Sequence, residues 1–449
     1  MSAVVAAPGS FGPTPLAIGD RGRTLAMDGN WRVDLETFHA HVRGVAALLP
    51  EGAHAVNLCE DRYRFLVTFC AVALRGQVTL LPPSRAPAVV TAVLHDHADS
   101  YSLGEDAPGA MPPGHWQLPA RLPELEGEAP AIDEATIVAI GFTSGSTGIP
   151  KANPKTWASF RVSTAQNLAA LQDLWQGHAM PAVVATVPPQ HMYGMELSVL
   201  LPLLGPAILH SARPFFPGDV ARVLRESPAP RLLATTPVHL RALVESGVEL
   251  PPLCGIVSAT APLSQELAAA AEARFGCEVR EVFGSTETCV IARRRTAREC
   301  AWTPLPGVRL QPRPDGALVH AAHLPVAVAL ADLVELEEDG RFHLRGRQAD
   351  LLEIAGKRAS LGDLTRRLLA IPGVEDGVVL QLDQVDGMGV ARVAALVVAP
   401  GLDERTILDA LRQGIDPVFL PRPVKSVAAL PRTETGKLPR AELLRLLHA

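Results

Sequence analysis

Apolar and polar positions follow two rhythms along the chain, and the changes of rhythm mark its elements. Residues 35–49 repeat apolar side chains at helical spacing, Ala55-Val56-Asn57-Leu58 reads as a short strand, and 62–74 reads as a second amphipathic helix ending at Arg75-Gly76. A strand at 78–81 is closed by Pro82-Pro83, and 87–97 forms a third helix. Residues 104–134, rich in Pro, Gly and Glu, read as an exposed connection. They lead into Ala135-Thr136-Ile137-Val138-Ala139-Ile140, a β-branched run with the character of a buried strand. Residues 157–175 return to helical spacing, with Asn153 or Thr156 as N-cap. Strands at 183–187, 231–236, 255–258 and 278–283 each run into small or polar residues, where open α/β sheets place their ligands.

From about residue 332 the texture changes. Residues 332–336 and 341–344 flank Glu338-Asp339-Gly340 as a hairpin. A compact tail follows, with helices at 361–369, 404–413 and 439–447 and strands at 374–382, 392–398 and 424–428. Strand–helix alternation argues for an α/β fold of stacked layers, and no internal repeat is visible.

At 449 residues the length suggests about two to three domains. With 48% hydrophobic and 20% charged residues the chain can bury a large core. A net charge of −6 argues against wholesale nucleic-acid binding. Six cysteines lie scattered without a Cys-x-x-Cys pair, as small buried hydrophobes in a reducing compartment would. No basic residue precedes the first short apolar run, so no signal peptide is expected. Residues 197–209, broken by Pro202, Gly205 and Pro206, fall short of a membrane span. A cytoplasmic protein without membrane or nucleic-acid partners is the expectation.

The chemistry concentrates in Phe142-Thr143-Ser144-Gly145-Ser146-Thr147-Gly148-Ile149-Pro150-Lys151. Glycines let backbone N–H groups approach an anion, hydroxyls donate to its oxygens and a lysine neutralises charge, so the stretch suits a polyphosphate. It is not a Walker A loop, because Ile149-Pro150 separates the last Gly from the Lys. A polar surface turn is the plainer alternative. Further segments share this character: His191-Met192-Tyr193-Gly194, Phe283-Gly284-Ser285-Thr286-Glu287, Asp332, Gly346-Arg347 and Pro431-Arg432-Thr433-Glu434-Thr435-Gly436-Lys437. Each alone is weak, since a lone Asp or Lys is usually a solvated charge.

Taken in this order, the segments resemble the adenylate-forming superfamily, which includes acyl- and aryl-CoA synthetases, peptide-synthetase adenylation domains and luciferases. The resemblance runs from Arg75-Gly76 to the C-terminus. It implies a large N-terminal domain of stacked α/β subdomains (1–346) and a small mobile α+β C-terminal domain (347–449), hinged near 347–350. ATP and Mg²⁺ would serve there to convert a carboxylic acid to an acyl-adenylate and pyrophosphate, after which a thiol displaces AMP. The acid would be an aryl acid such as a hydroxybenzoate, or a medium acyl or hydroxyacyl acid. The thiol would be the phosphopantetheine of CoA or of a holo acyl carrier protein.

The resemblance also implies roles. Thr143, Ser144, Gly145, Ser146, Thr147, Gly148 and Lys151 would hold the β/γ-phosphates, with Thr286 contacting phosphate and Glu287 holding the Mg²⁺. Phe283 would stack on adenine beside Gly284, Asp332 would accept both ribose hydroxyls and Arg347 would donate near the ribose. Lys437 would contact the α-phosphate and the substrate carboxylate as a mobile point charge. His191, Tyr193, Gly194, Ala259, Thr260, Ala261 and Gly284 would border an apolar acid. For His191, a core or capping role stays open.

Departures from the pattern are visible as well. Ala152-Asn153 and Thr156-Trp157 replace the usual Gly-Val and Thr-His, Ala259 replaces a glycine, and the stretch between Trp302 and Asp332 is short. Ala349 stands at the usual hinge Asp or Lys, and Glu353 at a lysine that assists thioester formation in several relatives. Gly356-Lys357-Arg358 follows, and Lys357 or Arg358 is the candidate substitute. These features resemble a short subgroup that loads acyl carrier proteins in aryl-polyene and xanthomonadin-type pigment pathways. A docking face for an acidic carrier could come from Arg366-Arg367, Arg412, Arg422 and Lys425, or from Arg293-Arg294-Arg295, which read equally as solvated charges. Two other functions stay open: a stand-alone amino-acid adenylation enzyme, and a non-catalytic nucleotide or acid sensor.

Overall fold

The structure, a computed structural model, describes residues 12–105, 112, 114–144, 150–175, 180–314, 316–330, 332–347, 351–354, 357–385, 391–433 and 436–448. Contacts divide the chain into two compact units. The first comprises Met1–Cys300, Pro304–Val308 and Ala321–Pro325, and the second Ala301–Thr303, Arg309–His320 and Val326–Ala449. The second unit thus begins ahead of residue 346, because the strand Gly316–His320 packs on Asp332–Leu336 within it.

Two sheets organise the first unit. One runs from edge to edge through Pro150–Thr156, Ile137–Ser144, Val78–Leu81, His54–Asn57, Ser100–Gly104 and His115–Gln117. Its neighbours are parallel except at the first pair, where Pro150–Thr156 returns antiparallel to Ile137–Ser144. The other sheet passes through Cys289–Arg294, Val279–Ser285, Gly255–Ser258, Arg231–Thr235, Ala182–Ala185, Ile208–His210, Thr24–Asp28 and Trp31–Asp34. Its central strands are parallel, so the carboxyl ends of Ala182–Ala185, Arg231–Thr235, Gly255–Ser258 and Val279–Ser285 point the same way. Parallel strands covered on both faces read as continuous apolar runs, as Ala182–Ala185 does, buried at every residue.

The helix Arg62–Leu74 corrects its expected amphipathic character. Tyr63, Phe65, Leu66, Val67, Phe69, Cys70, Ala71 and Val72 are all buried, so it lies inside the unit with no solvent stripe. Phe69 meets Phe160 edge-on at 6.4 Å between ring centroids. Side-chain caps set the helix starts: Asp34 accepts from Thr37 N–H at 2.8 Å, and Asp61 from Arg64 N–H at 2.8 Å. Thr156 accepts from Ser159 N–H at 3.1 Å, which makes Thr156 the cap of Trp157–Leu171 and leaves Asn153 within a strand. The connection expected to be exposed is in part core, since Leu118, Leu122 and Ile132 are buried. No helix among the described residues is long and apolar enough to cross a membrane, and the six thiols form no disulfide.

In the second unit, Arg309–Arg313, Gly316–His320 and Val328–Leu330 form a small sheet, followed by the hairpins Asp332–Leu336 with Phe342–Arg347 and Leu351–Ile354 with Lys357–Ser360. Helices Leu361–Leu369 and Glu404–Arg412 bury Leu364, Leu368, Ile407 and Leu411 against the sheet of Asp376–Val385, Ala391–Val398 and Val424–Ser426. Helix Arg440–His448 contributes Leu443 and Leu447 to a second cluster, with Leu380, Ala394 and Leu396.

Candidate active site

The strands Ile137–Ser144 and Pro150–Thr156, which flank the phosphate-loop candidate in sequence, pair as an antiparallel hairpin. Gly145, Ser146, Thr147 and Gly148 lie outside the described residues, and Ser144 is described by its backbone alone. The register sets Lys151 opposite Thr143, so the loop's first hydroxyl and its lysine share one end of the hairpin. Lys151 is exposed. Asn153 ties the two strands, donating to Lys151 O at 2.9 Å and to Gly141 O at 3.4 Å.

Gly141 joins this hairpin to two other segments. A Cβ there would meet Thr286 Cγ2 at 2.6 Å and Met192 Cε at 3.4 Å. The strand leading to the loop, the Gly-Ser-Thr-Glu turn and the short helix Met192–Met195 therefore converge at one position, where a Cβ would force Thr286 to shift.

His191 occupies the N-cap position of Met192–Met195, and its side chain makes no capping hydrogen bond. Its carbonyl accepts from Met195 N–H at 2.7 Å. Tyr193 is buried, and its hydroxyl donates to Val257 O at 2.8 Å, so it presents a ring and not a polar tip. Burial pushes that phenol far above its ordinary value. Gly194 passes so close to Pro188 that a Cβ would stand 2.0 Å from its carbonyl oxygen. Arg62, unexposed, donates to Ala185 O at 3.0 Å and Val187 O at 2.9 Å and also reaches Ser198, fixing the strand end that feeds this segment. Burial lowers its pKa to about 9. A buried arginine at a helix start carries no recognisable sequence signal.

Val257 belongs to the strand Gly255–Ser258, whose end carries the Ser258–Leu263 turn. Ala259 is buried, and Thr260 takes the left-handed conformation at φ 80°, a costly state for a β-branched residue and one that clusters at functional sites. The turn is fastened by Glu281, which accepts from Leu263 N–H at 3.0 Å and pairs with Arg294 at 2.7 Å. Ala261 is half-buried beside Thr260.

The Phe283–Cys289 segment ends the adjacent strand in a bulge between Phe283 and Gly284. A Cβ on Gly284 would collide with Cys289 O at 2.1 Å, so the crossing requires glycine. Phe283, Thr286 and Glu287 are half-buried. Three nearly unexposed side chains grip the turn's backbone: Lys155 Nζ donates to Glu287 O at 2.7 Å, His323 Nε2 to Thr288 O at 2.7 Å, and Glu196 accepts from Val290 N–H at 3.0 Å. These were invisible to sequence reasoning, because Lys155 lies in a polar stretch and Glu196 in an apolar one. Glu287 offers a hard carboxylate oxygen next to the Thr286 hydroxyl, a donor set that suits Mg²⁺ bridged to phosphate.

In the second unit, Asp332 stands directly opposite Arg347 across the hairpin. This juxtaposes the two residues expected at the ribose; Arg347, Lys357 and Arg358 are described by their backbone alone, and Gly356 lies outside the described residues. Lys437 is exposed on a turn closed by Thr433 N–H on Lys437 O at 2.8 Å and Lys437 N–H on Thr433 Oγ1 at 3.1 Å. Arg432 anchors that turn, donating to Gly436 O at 2.9 Å and forking onto Asp376 at 2.8 and 2.6 Å.

Elsewhere, Asp28, His210 and Glu226 bring donor atoms within 4.8 Å of one another. His210 Nδ1 accepts from Ala212 N–H at 3.2 Å, which leaves the ring proton on Nε2 and removes that nitrogen as a metal ligand.

An α/β core with chemistry at the carboxyl ends of parallel strands, followed by a separate unit carrying an exposed lysine turn, defines the adenylate-forming enzymes. The chain belongs to the AMP-binding enzyme family, whose model matches residues 42–347. It is similar to a 4-coumarate–CoA ligase of Rhodobacter capsulatus, 32% identical over 302 residues that cover 67% of this chain and 75% of the relative. A 3-hydroxybenzoate–CoA ligase of an Aromatoleum species is 30% identical over 122 residues, 26% of this chain and 23% of the relative. The fold is that of ATP-bound MatB from Rhodopseudomonas palustris, with TM-score 0.77 and 20% identity over 96% of this chain and 97% of that one. MenE from Bacillus subtilis with its acyl-adenylate gives TM-score 0.78 and 17% identity over 92% and 93%. The protein is an AMP-forming acid–thiol ligase that uses ATP.

Proposed function

We propose that the enzyme activates an aromatic carboxylic acid as its acyl-adenylate and passes the acyl group to a phosphopantetheine thiol, of CoA or of an acyl carrier protein. The observation that carries this reading is the meeting of three segments at Gly141, where the phosphate-loop strand, Thr286 and Met192 of the acid-side helix come into contact. Names borne by the relatives, coumarate and hydroxybenzoate ligases, support an aryl acid and CoA. The tethered Tyr193 hydroxyl supports the same acid class, because it leaves an apolar ring and not a donor.

In this mechanism the substrate carboxylate attacks the α-phosphorus of ATP and expels pyrophosphate. Two anions must meet, so the site has to supply positive charge and donors. Thr143, Ser144, Gly145, Ser146, Thr147, Gly148 and Lys151 hold the β/γ-phosphates, and Thr286 donates to phosphate. Glu287 would hold Mg²⁺, which would supply positive charge against the phosphate oxygens. Asp332 and Arg347 orient the ribose, Phe283 the adenine, and Lys437 stabilises the charge shared by carboxylate and α-phosphate. His191, Tyr193, Gly194, Ala259, Thr260, Ala261 and Gly284 border the acid. In the second half-reaction the thiolate attacks the acyl carbon and AMP leaves, with Lys357 or Arg358 supplying the cation that Glu353 cannot. The tail beyond residue 347 turns about 347–350 between the two half-reactions, since a few element-terminal residues can absorb such a change.

ATP–pyrophosphate exchange with benzoates, cinnamates, 3-hydroxy acids, fatty acids and amino acids tests this. Exchange driven best by an aryl acid supports it, and exchange driven only by amino or fatty acids overturns the substrate class. A mass shift on CoA or on holo carrier protein then identifies the acceptor.

A further inference from the structure

The turn 285–290 carries the two residues read as facing nucleotide and metal, and its internal bonds are local: Ser285 N–H donates to Thr288 Oγ1 at 3.1 Å and Thr288 N–H to Ser285 Oγ at 3.2 Å. Cys289 closes it in the left-handed region at φ 57°, an uncommon conformation for a residue with a Cβ. Its backbone groups are taken up from behind by charged or polar side chains. Lys155, 4% exposed, donates to Glu287 O at 2.7 Å. Glu196, 1% exposed, accepts from Val290 N–H at 3.0 Å and from Asn167 Nδ2 at 3.0 Å. The two grips therefore flank Thr288 and Cys289, one two residues before the left-handed residue and one just after it.

A buried ammonium and a buried carboxylate are a poor route to stability. Desolvation of each costs several kcal/mol, and apolar replacements of such pairs are often neutral or stabilising. What the pair supplies is geometry. Lys155 comes from the edge strand that leaves the phosphate loop, four residues after Lys151. Glu196 opens the π-helical turn Glu196–Leu200, directly after the helix Met192–Met195. Such bulged turns are frequent at functional sites. The same two side chains thus connect the phosphate hairpin and the acid-side helix to the turn that carries Thr286 and Glu287.

We propose that Lys155 and Glu196 form a buried positioning pair that holds the Thr286–Glu287 turn in register with the hairpin Ile137–Ser144/Pro150–Thr156. This rests on the reading of Thr286 and Glu287 as nucleotide-facing. Neither residue of the pair touches substrate. Lys155 aims the Glu287 peptide, and Glu196 fixes the strand re-entry at Val290 and compensates the ammonium. Outer-shell residues of this kind alter affinity by about 10–100-fold when removed.

The test is ATP–pyrophosphate exchange with the acid that drives the wild-type enzyme fastest, together with thermal melting. Lys155→Met removes the donor to Glu287 O and the positive charge that opposes protonation of Glu196, so it lowers the melting temperature and raises KM for MgATP by about tenfold, while KM for the acid moves less than about twofold. Adding Glu196→Gln removes the buried acid but keeps an acceptor for Val290 N–H. The double variant melts near wild type, yet its KM for MgATP stays raised because Glu287 O still lacks its donor. Recovery of KM together with stability, equal changes in both KM values, or a double variant that does not fold would each overturn the positioning role. Glu287→Gln separates the premise: an unchanged KM for MgATP there removes the nucleotide-facing reading itself. A raised KM in Glu287→Gln with a normal one in the double variant removes only the pair.

Discussion

Gly141 and Thr286 meet where a side chain cannot: a Cβ on Gly141 would lie 2.6 Å from Thr286 Cγ2. The phosphate-loop strand and the Gly-Ser-Thr-Glu turn are distant in sequence and belong to different sheets, so this contact fixes their relation. The identity of residue 141 therefore belongs to the site as much as any charged group.

Gly141→Ala should push Thr286 from its place. Overpacking of one methyl typically costs about 1–3 kcal/mol of stability, and displacement of Thr286 should lower the exchange rate by about tenfold or more, since small misplacements near reacting atoms can cost up to about a hundredfold. Thr286→Ser deletes the opposing methyl and keeps the hydroxyl, so the pair Gly141→Ala with Thr286→Ser should recover most of that loss. Exchange kinetics on the two singles and the double measure the coupling. Additive losses would mean that the contact does not position Thr286.

Lys437→Ala should lower adenylate formation by about a hundredfold or more, as loss of a group that stabilises developing charge does. Its melting temperature should not change, because the side chain is exposed. Asp376→Asn should give an intermediate loss in the same exchange assay, since Asp376 holds the Arg432 fork at 2.8 and 2.6 Å and Arg432 anchors the turn that carries Lys437. Near-normal exchange in Lys437→Ala would show that the tail's role is misassigned.

The edge strand Pro150–Thr156 shows where legibility ended. Its sequence, Pro-Lys-Ala-Asn-Pro-Lys-Thr, has no apolar alternation and two prolines, so nothing local announces a strand. It exists because Ile137–Ser144 offers a ladder on one side and no strand is required on the other. The parallel strands at 183–185, 231–235 and 255–258 were legible from apolar runs ending in small residues, and Thr24–Asp28 and Trp31–Asp34 were not. Motif order pointed to the family, but Lys155, Glu196, Arg62 and His323 are site-building residues whose roles come from tertiary burial alone. The helix at 62–74 misled because apolar spacing cannot tell a half-buried helix from one buried all round.

Glu196 should leave a mark on stability against pH. Burial raises its pKa from 4.5 to about 7, opposed by hydrogen bonds from Asn167, Val290 N–H and Ser163 and by the charge of Lys155; Cys289 is the remaining titratable neighbour. Between those values the folded state holds a proton that the unfolded state has lost, so stability falls as pH rises from about 4.5 to 7 and is flat above. The span amounts to roughly 3 kcal/mol for the group. Glu196→Gln should remove this decline, and melting temperatures of both proteins at pH 5 and pH 8 measure it. Parallel pH profiles for the two would refute the assignment.

Asp332→Ala should erase discrimination between ATP and 2′-deoxy-ATP. Hydrogen bonds to a charged acceptor contribute about 1.5–3 kcal/mol, so the wild type should prefer ATP by on the order of ten- to a hundredfold. Exchange with both nucleotides reads the ratio, and a variant that keeps the wild-type preference would place the ribose elsewhere.

Lys357→Ala should slow thioester formation more than pyrophosphate exchange, because Glu353 cannot supply a cation for the second half-reaction. Equal losses in both assays would count against that role.

The most direct measurement uses substrate acid carrying ¹⁸O in its carboxylate, followed through one turnover to AMP. Attack of that carboxylate on the α-phosphorus places one labelled oxygen in the bridge, and expulsion by the thiol leaves it on AMP. Labelled AMP, formed in step with the thioester, is the expected result. Unlabelled AMP, or release of ADP and inorganic phosphate instead, would contradict activation through an acyl-adenylate.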